Sequence, residues 1–333
     1  MPSSSRPENR RRSTPRSGGY LRKNLRDWER SAARYEELHA KTLRREDGKA
    51  WGTLRIPERR LRLLGAPRGK RVLELGCGAA DWSIALAREG ADVVGLDFSG
   101  TRLRQAQDRL RKAGLSFPLV RARADKIPYP NGRFDIVLSD YGATTFSDPW
   151  RTIPEASRVL RRDGLLVFAH ANPFRSVAHD RKADRLTRTL ARDYFGLRTL
   201  HFPDSVEFQL PFGEWIRLFS SCGLVVDRLI EPAAPTSWRT SYLSADEHRW
   251  ALHWPVDAIW RLRKVGPARR LPARERSLGR SRRSRFPRQR MRSRPRRGTR
   301  RDRVDARPTH SSPARKAPAS ARLGPHDLGG ESD

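Results

Sequence analysis

Residues 71–99 read RVLELGCGAADWSIALAREGADVVGLDFS, and this stretch decides the fold. The apolar run at residues 72–75 is typical of a strand buried on both faces of a parallel sheet. Gly76 and Gly78 follow the run, and they let the backbone turn tightly and approach a ligand because neither carries a Cβ. An amphipathic helix and a second buried strand over residues 91–96 come next. The order of strand, glycine turn, helix and strand predicts one unit of an open parallel sheet.

Three acids, Glu74, Asp81 and Asp97, lie around or after the glycine turn. Asp97 stands at the carboxyl end of the second strand, where ligands bind to open parallel sheets and where an acid can accept both hydroxyls of a ribose. A dinucleotide site would show G-x-G-x-x-G, but Asp81 takes the place of the third glycine. Glu74 adds a further acid two residues before Gly76. Because carboxylates at positions 74 and 81 repel a pyrophosphate, the pattern favours a nucleoside ligand that carries positive charge.

The segments VLELGCG (72–78) and VVGLDFS (93–99) resemble the first two motifs of class I S-adenosylmethionine-dependent methyltransferases with a type 11-like domain. The resemblance implies an α/β fold with a doubly wound, mostly parallel seven-stranded sheet of Rossmann-like type. It also implies S-adenosylmethionine, which carries a sulfonium and an ammonium, as the cofactor. The residues that the resemblance places around this cofactor are Glu74, Gly76, Cys77, Gly78, Asp97, Phe98, Ala124, Asp125 and Ser139.

The resemblance also implies individual roles. Gly76 and Gly78 would line the methionine portion, Glu74 would orient the turn or the ammonium, and Asp97 would hold the ribose. The segment ARADKIP (122–128) is similar to the adenine-binding loop of the family, usually written D-A-x-x-L-P, with Ala124 at the alanine position.

One position of this adenine loop departs from the family. Arg123 stands where the family's acid usually stands. Asp125, two residues further on, is therefore the candidate for the contact with the exocyclic amine of the adenine.

Apolar runs predict further strands at residues 117–120, 134–138, 165–169 and 224–230. The resemblance implies that residues 258–262 form the last strand, antiparallel, at the sheet edge. The segment RVLRRDGLLVF, residues 158–168, is similar to the R-V-L-x-P-G-G turn that leads into the fifth strand of the family. The stretch from Arg249 to Lys264 resembles methyltransferase-like proteins of high-GC bacteria, which indicates no substrate.

The chain before the glycine turn predicts two helices. Apolar residues recur at helical spacing over residues 25–43, and relatives of this fold use such a helix as a lid over the cofactor. Tyr35 and Trp51 are candidate cavity residues, with packing against the sheet as the alternative for each. A second helix is expected from Ile56 through Leu64.

These elements predict one methyltransferase domain over residues 20–264. Its cofactor-binding core would span residues 70–171, and the insertion over residues 172–211 would cover the acceptor pocket. Residues 1–19 and 265–333 are expected to be disordered, because they carry too little apolar surface to offset chain entropy.

The net charge of +33 is concentrated at the ends, and residues 265–333 hold 20 arginines and one lysine against six acids. Arginine-rich tails can bind nucleic acid through phosphates. A solvated tail, or a spurious extension from GC-rich codons, is nevertheless favoured over such binding.

The cysteine and histidine content bears on the cellular location of the protein and on whether it binds a metal. The two cysteines, Cys77 and Cys222, cannot make a disulfide framework, so a reducing cytoplasm is the simplest setting. No apolar run approaches the ~20 residues that a membrane span needs. The eight histidines show no metal-ligand spacing with one another or with cysteine, so no metal is expected.

Methyl transfer from a sulfonium is an in-line displacement in which the cofactor supplies the activated carbon. Positioning alone can contribute ~7–11 kcal/mol, so a catalytic base is not required. His170, with an unperturbed pKa of ~6.5, is the first candidate if a base exists. Asp140 and Tyr141, at the end of the fourth strand, are the next. A structural role is the alternative for all three, so the catalytic residue is left unassigned.

Three classes of function remain open. The first is methyl transfer to a small-molecule acceptor with an oxygen, nitrogen or carbon nucleophile. The second is an RNA or other nucleic-acid methyltransferase that docks through its basic ends, and the third is a non-catalytic relative that binds the cofactor. The N-P-P-Y signature of enzymes that methylate base amines is absent, and Ser139–Gly142 occupies its place. The first class is therefore favoured, without an assigned acceptor or oligomeric state.

Overall fold

The structure, a computed structural model, describes residues 18–180, 183–237 and 239–267. The ends predicted to be disordered, residues 1–19 and 265–333, lie outside these ranges except for residues 18–19 and 265–267. The first described helix begins at Gly18, two residues before the expected start of the domain.

The centre of the molecule is a seven-stranded sheet. Its strands are β1 (Arg71–Leu75), β2 (Asp92–Asp97), β3 (Leu119–Arg121), β4 (Phe134–Asp140), β5 (Leu160–Ala171), β6 (Leu224–Ile230) and β7 (Asp257–Lys264). Their order in the sheet is β6-β7-β5-β4-β1-β2-β3. Strand β7 runs antiparallel to both of its neighbours, and the other pairings in the sheet are parallel. The predicted fold class is thereby confirmed, although the antiparallel strand lies one place in from the edge.

Helices and three short antiparallel ribbons surround this sheet. The ribbons pair Ala50–Trp51 with Ile56–Pro57, His179–Asp180 with Arg185–Leu186, and Thr199–His201 with Val206–Phe208. The helices are α1 (Gly18–Leu43), α2 (Glu58–Leu61), α3 (Asp81–Arg88), α4 (Gly100–Lys112), α5 (Ala143–Phe146), α6 (Pro149–Val159), α7 (Pro173–Ala178), α8 (Phe212–Ser221) and α9 (Ala245–Ala251).

Apolar side chains cover both faces of the sheet, as a doubly wound fold requires. On one face, Ile153 of α6 and Trp215 and Phe219 of α8 pack with Phe168 and Trp260 of the sheet. The cluster on the other face consists of Trp51, Leu63, Leu64, Val72, Trp82, Leu86, Val93, Ile136, Leu138, Val167, Ala169 and Ile259.

Two elements differ from their predicted bounds. Strand β5 begins at Leu160, which pairs with Phe134, and not at residue 165. The predicted turn is an irregularity within the strand, because Asp163 takes a left-handed conformation (φ 60°) there. The second helix is the single turn α2, because Arg62 at its end is left-handed (φ 50°).

Helix α1 is attached to two parts of the molecule. At the N-terminus of α4, Glu29 accepts hydrogen bonds from the Gly100 N–H at 2.7 Å and the Thr101 N–H at 3.2 Å. On the other side, Asn24 accepts from the Val206 N–H at 2.7 Å and donates to the Val206 carbonyl at 2.8 Å. Val206 belongs to the segment 172–211, so this segment supports α1.

Asp27 on α1 has a carboxyl group whose burial affects the stability of the fold. Its side chain is buried, Arg30 Nη2 lies 3.6 Å away, and neither carboxylate oxygen has a hydrogen-bond donor in the described part of the chain. Burial raises the pKa of Asp27 to about 7. Since the unfolded chain loses this proton near pH 4, the folded state is destabilised progressively as the pH rises from about 4 to 7.

We expect Asp27→Asn to raise the Tm by several degrees at pH 8, a gain of ~1–3 kcal/mol, and by much less at pH 5. Thermal unfolding at the two pH values measures this difference. Asp108→Asn on the exposed face of α4 is the control. An equal effect of Asp27→Asn at both pH values would contradict the expectation.

Candidate active site

A cavity lies at the carboxyl ends of β1, β2 and β4, and its empty space, including the part that is open to solvent, is about 1080 Å³. Four residues of α1, spaced by two helical turns, form its cover: Leu21, Trp28, Tyr35 and Leu43. The wall includes most of the residues predicted from the sequence, namely Glu74, Gly76, Cys77, Gly78, Asp97, Phe98, Ala124, Asp140 and Tyr141.

The glycine turn fits closely against the loop after β4. Gly76 has φ 73°, and a Cβ at this position would lie 2.4 Å from the Ala143 nitrogen. The N–H groups of Gly76 and Cys77 donate to the Leu96 carbonyl at 2.8 and 3.0 Å. The turn is therefore fixed on two sides, and glycine at position 76 is required by conformation and by space.

Asp97 joins the turn to the start of α4. Its carboxylate accepts hydrogen bonds from the Gly78 N–H at 2.9 Å and from the Ser99 N–H at 2.8 Å. Burial raises the pKa of Asp97, and the hydrogen bonds from the backbone oppose that rise. The carboxylate lies in the cavity wall with lone pairs left to accept from a ligand hydroxyl.

Glu74 holds the start of α3. Its carboxylate accepts from the Ser83 N–H at 2.9 Å and from the Ser83 hydroxyl at 2.5 Å. Burial raises the pKa of Glu74 to about 8. The side chain is therefore mostly protonated at neutral pH, and a cationic ligand in the cavity would favour its ionised form.

Only part of the adenine loop belongs to the cavity wall. Ala124 and Arg123 belong to the wall. Asp125 is instead held in ion pairs with Arg123 at 2.6 Å and Arg151 at 3.4 Å, and its side chain is not among the wall residues. A contact between Asp125 and an adenine amine stays a prediction.

Two other predicted residues are buried outside the wall. The Ser139 hydroxyl donates to the Leu75 carbonyl at 2.8 Å and so links β4 to β1. The His170 ring lies 4.9 Å from the Trp215 ring, with Gln209 Nε2 3.4 Å from its Nδ1. Because burial lowers the pKa of His170 to about 3, a structural role fits its surroundings better than the role of a base.

Asp140 and Tyr141 lie in the wall, each held by polar partners. The Asp140 carboxylate pairs with Arg55 at 3.1 Å and accepts from the Gly52 N–H at 2.8 Å. Burial raises the pKa of Asp140 to about 6, while Arg55 opposes the rise. The Tyr141 hydroxyl donates to Asp257, and burial raises the Tyr141 pKa. These partners fix both side chains at the end of β4.

The structure adds wall residues that the sequence did not reveal, including Arg55, Arg102 and Tyr242. They lie in other segments of the chain, so no local motif connects them to the glycine turn. Of the two aromatic candidates, Tyr35 lies in the wall. Trp51 is fully buried and donates to Glu58 at 2.6 Å, so packing is its role.

The described residues contain no group of three or more His, Cys, Asp or Glu side chains placed to hold a metal ion. Among the helices of the described ranges, none is long and apolar enough to cross a membrane. Cys77 and Cys222 are both buried free thiols.

The strand order, the glycine turn after β1 and the acid at the end of β2 define the Rossmann-like methyltransferase class of α/β folds. A solved S-adenosylmethionine-dependent methyltransferase of Mesorhizobium loti has the same fold. The TM-score is 0.52 at 21% sequence identity, over 61% of this chain and 94% of that one.

Sequence matches cover part of the chain. Residues 73–168 match the family model of the methyltransferase domain. The demethylmenaquinone methyltransferase of Geobacillus kaustophilus is 35% identical over 112 residues, which are 32% of this chain and 47% of that protein. The enzyme of the same name from Listeria welshimeri is 34% identical over 111 residues, with the same coverage.

These matches confirm the class I methyltransferase domain, and with it S-adenosylmethionine as the cofactor of the class. The chain spans about half the length of the curated relatives that it matches.

Proposed function

We propose that this protein transfers the methyl group of S-adenosylmethionine to a small-molecule acceptor. The observation that carries the proposal is a single cavity that joins the glycine turn and Asp97 to Asp140, Tyr141 and the aromatic cover on α1. In this proposal the glycine turn and Asp97 hold the nucleoside, and a second molecule binds beside Asp140 and Tyr141. The name of the matched relatives, which refers to a small molecule and not to a nucleic acid, supports this class of acceptor.

The chain's own residues fit the cofactor by charge. The carboxyl groups of Glu74 and Asp97 face a cavity that must accept a sulfonium and an ammonium. When bound, the cofactor supplies an activated methyl carbon, and the acceptor atom bonds to this carbon as the carbon–sulfur bond breaks. Asp97 would hold the ribose, and Glu74 would hold the ammonium or the turn.

The α1 residues that cover the cavity would exclude water, and the end of β4 would help to position the bound molecules. Trp28 and Tyr35 shield the cavity from water, which strengthens the polar interactions inside it. Asp140 is held by Arg55, so it serves as a fixed part of the wall. Orientation of two bound molecules accounts for ~7–11 kcal/mol of a barrier, and no base is assigned. The two free thiols support a cytoplasmic location as part of the proposal.

Calorimetric titration of the full chain with S-adenosylmethionine and S-adenosylhomocysteine tests the cofactor, with NAD as the control. Micromolar binding of the first two and no binding of NAD is the expected result. Release of S-adenosylhomocysteine is then measured with pools of small phenols, amines and carboxylic acids, and with total RNA. Turnover with RNA alone would reject the small-molecule acceptor, and cofactor binding without turnover on any acceptor would favour a non-catalytic role.

The raised pKa of Glu74 predicts a proton linked to cofactor binding. At pH 7 the side chain must lose its proton before it can pair with a cation. S-adenosylmethionine affinity should therefore rise between pH 6 and pH 8, by up to ~tenfold per pH unit, with release of up to one proton. Glu74→Gln should abolish the pH dependence because an amide does not titrate. Its amide oxygen can still accept from Ser83, so the start of α3 is kept.

Titrations in buffers of different ionisation enthalpy count the released protons directly. An identical pH profile for the wild type and Glu74→Gln would show that Glu74 is not the linked group.

A further inference from the structure

The two most exposed large apolar side chains in the described part of the chain are Phe195, at 76% relative exposure, and Leu190, at 68%. Both lie in the loop that precedes the ribbon of residues 199–208. Phe174 of α7 and Leu252, directly after α9, are exposed as well. We call these four residues the apolar patch. A single exposed leucine or phenylalanine needs no explanation, but four on linked segments indicate a surface that binds a partner.

Hydrogen bonds and a ring contact connect the segments that carry the apolar patch. The Ala191 N–H donates to the Val177 carbonyl of α7 at 2.7 Å. The indole N–H of Trp250 on α9 donates to the Thr187 carbonyl at 2.9 Å. The ring of Trp250 also lies 6.3 Å from the ring of Phe174. The apolar patch therefore belongs to one connected part of the fold.

Arginines accompany the apolar patch. Residues 183–198 contain two aspartates and four arginines, at positions 185, 188, 192 and 198. Arg185, Arg188 and Arg198 are exposed. The guanidinium carbon of Arg188 lies 5.6 Å from the centre of the partly buried Trp254 ring. Exposed apolar side chains among arginines and an indole are typical of a surface that lies in the headgroup region of an anionic membrane.

The apolar patch lies at the end of the strands that carries the cavity. Helix α7 begins directly after β5, and the chain after α9 enters β7 at Asp257, which pairs with Ala171 at the end of β5. The Tyr141 N–H, in the cavity wall, donates to the Ala169 carbonyl of β5 at 2.9 Å. A partner on the apolar patch would therefore contact the same end of the sheet as the cavity.

We propose that the apolar patch and its arginines dock the protein on an anionic lipid surface, with Leu190 and Phe195 inserted between the headgroups. The contact is peripheral and differs from a membrane span. The inference goes beyond the proposed function and does not depend on it, because docking requires neither cofactor nor turnover.

Other occupants fit the apolar patch less well. A two-fold contact with a second copy of the chain would place the same arginines against one another. A nucleic acid would use the arginines, but Leu190 and Leu252 have no ring on which a base could stack.

A fluorescent probe on the apolar patch separates insertion from simple attraction by the arginine-rich residues 265–333, which can also hold the full chain on anionic vesicles. Cys77 and Cys222 are buried, so a thiol-reactive nitrobenzoxadiazole dye should label Leu190→Cys selectively. Val225→Cys is the matched control. Val225 is 45% exposed and pairs with Arg263, at the opposite end of the strands. Both labelled chains are mixed with vesicles of equal parts phosphatidylcholine and phosphatidylglycerol.

We expect the dye at position 190 to brighten and shift to the blue on these vesicles, and nitroxide-labelled lipid to quench it. The dye at position 225 should show neither effect. In ~1 M NaCl, where charges are screened beyond ~3 Å, the wild type should keep part of its vesicle binding. Phe195→Ser should weaken this remaining binding at least ~tenfold, and Val225→Ser should not change it. Thermal unfolding checks that both serine variants are folded.

Vesicle binding with an unchanged dye at position 190 overturns the proposal and assigns the membrane attraction to residues 265–333. A full chain that does not bind the anionic vesicles overturns it as well. A response of the dye at position 190 to polyuridylate and not to vesicles assigns the apolar patch to a nucleic acid. A dimer in sedimentation experiments that Phe195→Ser dissociates assigns it to a second copy of the chain, which also contradicts the proposal.

Discussion

Gly76→Ala is expected to destabilise the protein by ~3 kcal/mol or more and to abolish cofactor binding. The residue has φ 73°, where a side chain costs ~1–2 kcal/mol. The new Cβ would also lie 2.4 Å from the Ala143 nitrogen, so the loop after β4 must move. Overpacking of this kind costs a further ~1–3 kcal/mol. For a domain of this size, thermal unfolding should show a Tm lower by ~6–12 °C.

Gly114→Ala separates the two causes, because Gly114 has φ 63° and open space around its Cβ position. This variant should lose only ~1–2 kcal/mol, about 2–8 °C in Tm, and should bind S-adenosylhomocysteine normally. Similar losses of stability in both variants would mean that the turn is not pressed against the loop after β4.

Asp97→Ala is expected to weaken S-adenosylhomocysteine binding at least ~100-fold. Two hydrogen bonds from ribose hydroxyls to a carboxylate contribute ~1.5–3 kcal/mol each. The substitution also removes the acceptor of the Gly78 and Ser99 N–H groups, so the turn that shapes the cavity loosens. Calorimetric titration gives the affinity, and thermal unfolding should show a parallel loss of ~2 kcal/mol.

Asp92→Ala, at the exposed start of the same strand, is the control and should leave the affinity unchanged. If Asp97→Ala binds within threefold of the wild type, Asp97 does not hold the ribose.

The parts that the sequence predicted are those with local signals. The strands β1, β2 and β4 were expected within one or two residues, because a run buried on both faces is apolar throughout. The turn at Gly76 and the acid at Asp97 follow from their place after such runs. Ser99 follows the same strand and caps α4, where its hydroxyl accepts from the Arg102 N–H.

The remainder depends on contacts between distant segments. Arg55 meets Asp140, 85 residues away, and Tyr35 meets Tyr242 across 207 residues. No periodicity encodes such pairs. The start of β5 was missed for a similar reason, since Leu160 extends the strand by pairing with Phe134 across an irregular register. The segment 172–211 contributes no residue to the cavity wall in the described chain, and Val206 in its second ribbon is hydrogen-bonded to Asn24 of α1.

The place of β7 has a consequence for biosynthesis. The strand Asp257–Lys264 is inserted between β5 and β6, so the sheet stays divided until the ribosome has made these last residues of the domain. Until then, the outer edge of β5 presents unpaired N–H and C=O groups beside buried apolar side chains such as Phe168, a surface that invites aggregation. Nascent chains interrupted before Asp257 should therefore depend on chaperones or be degraded.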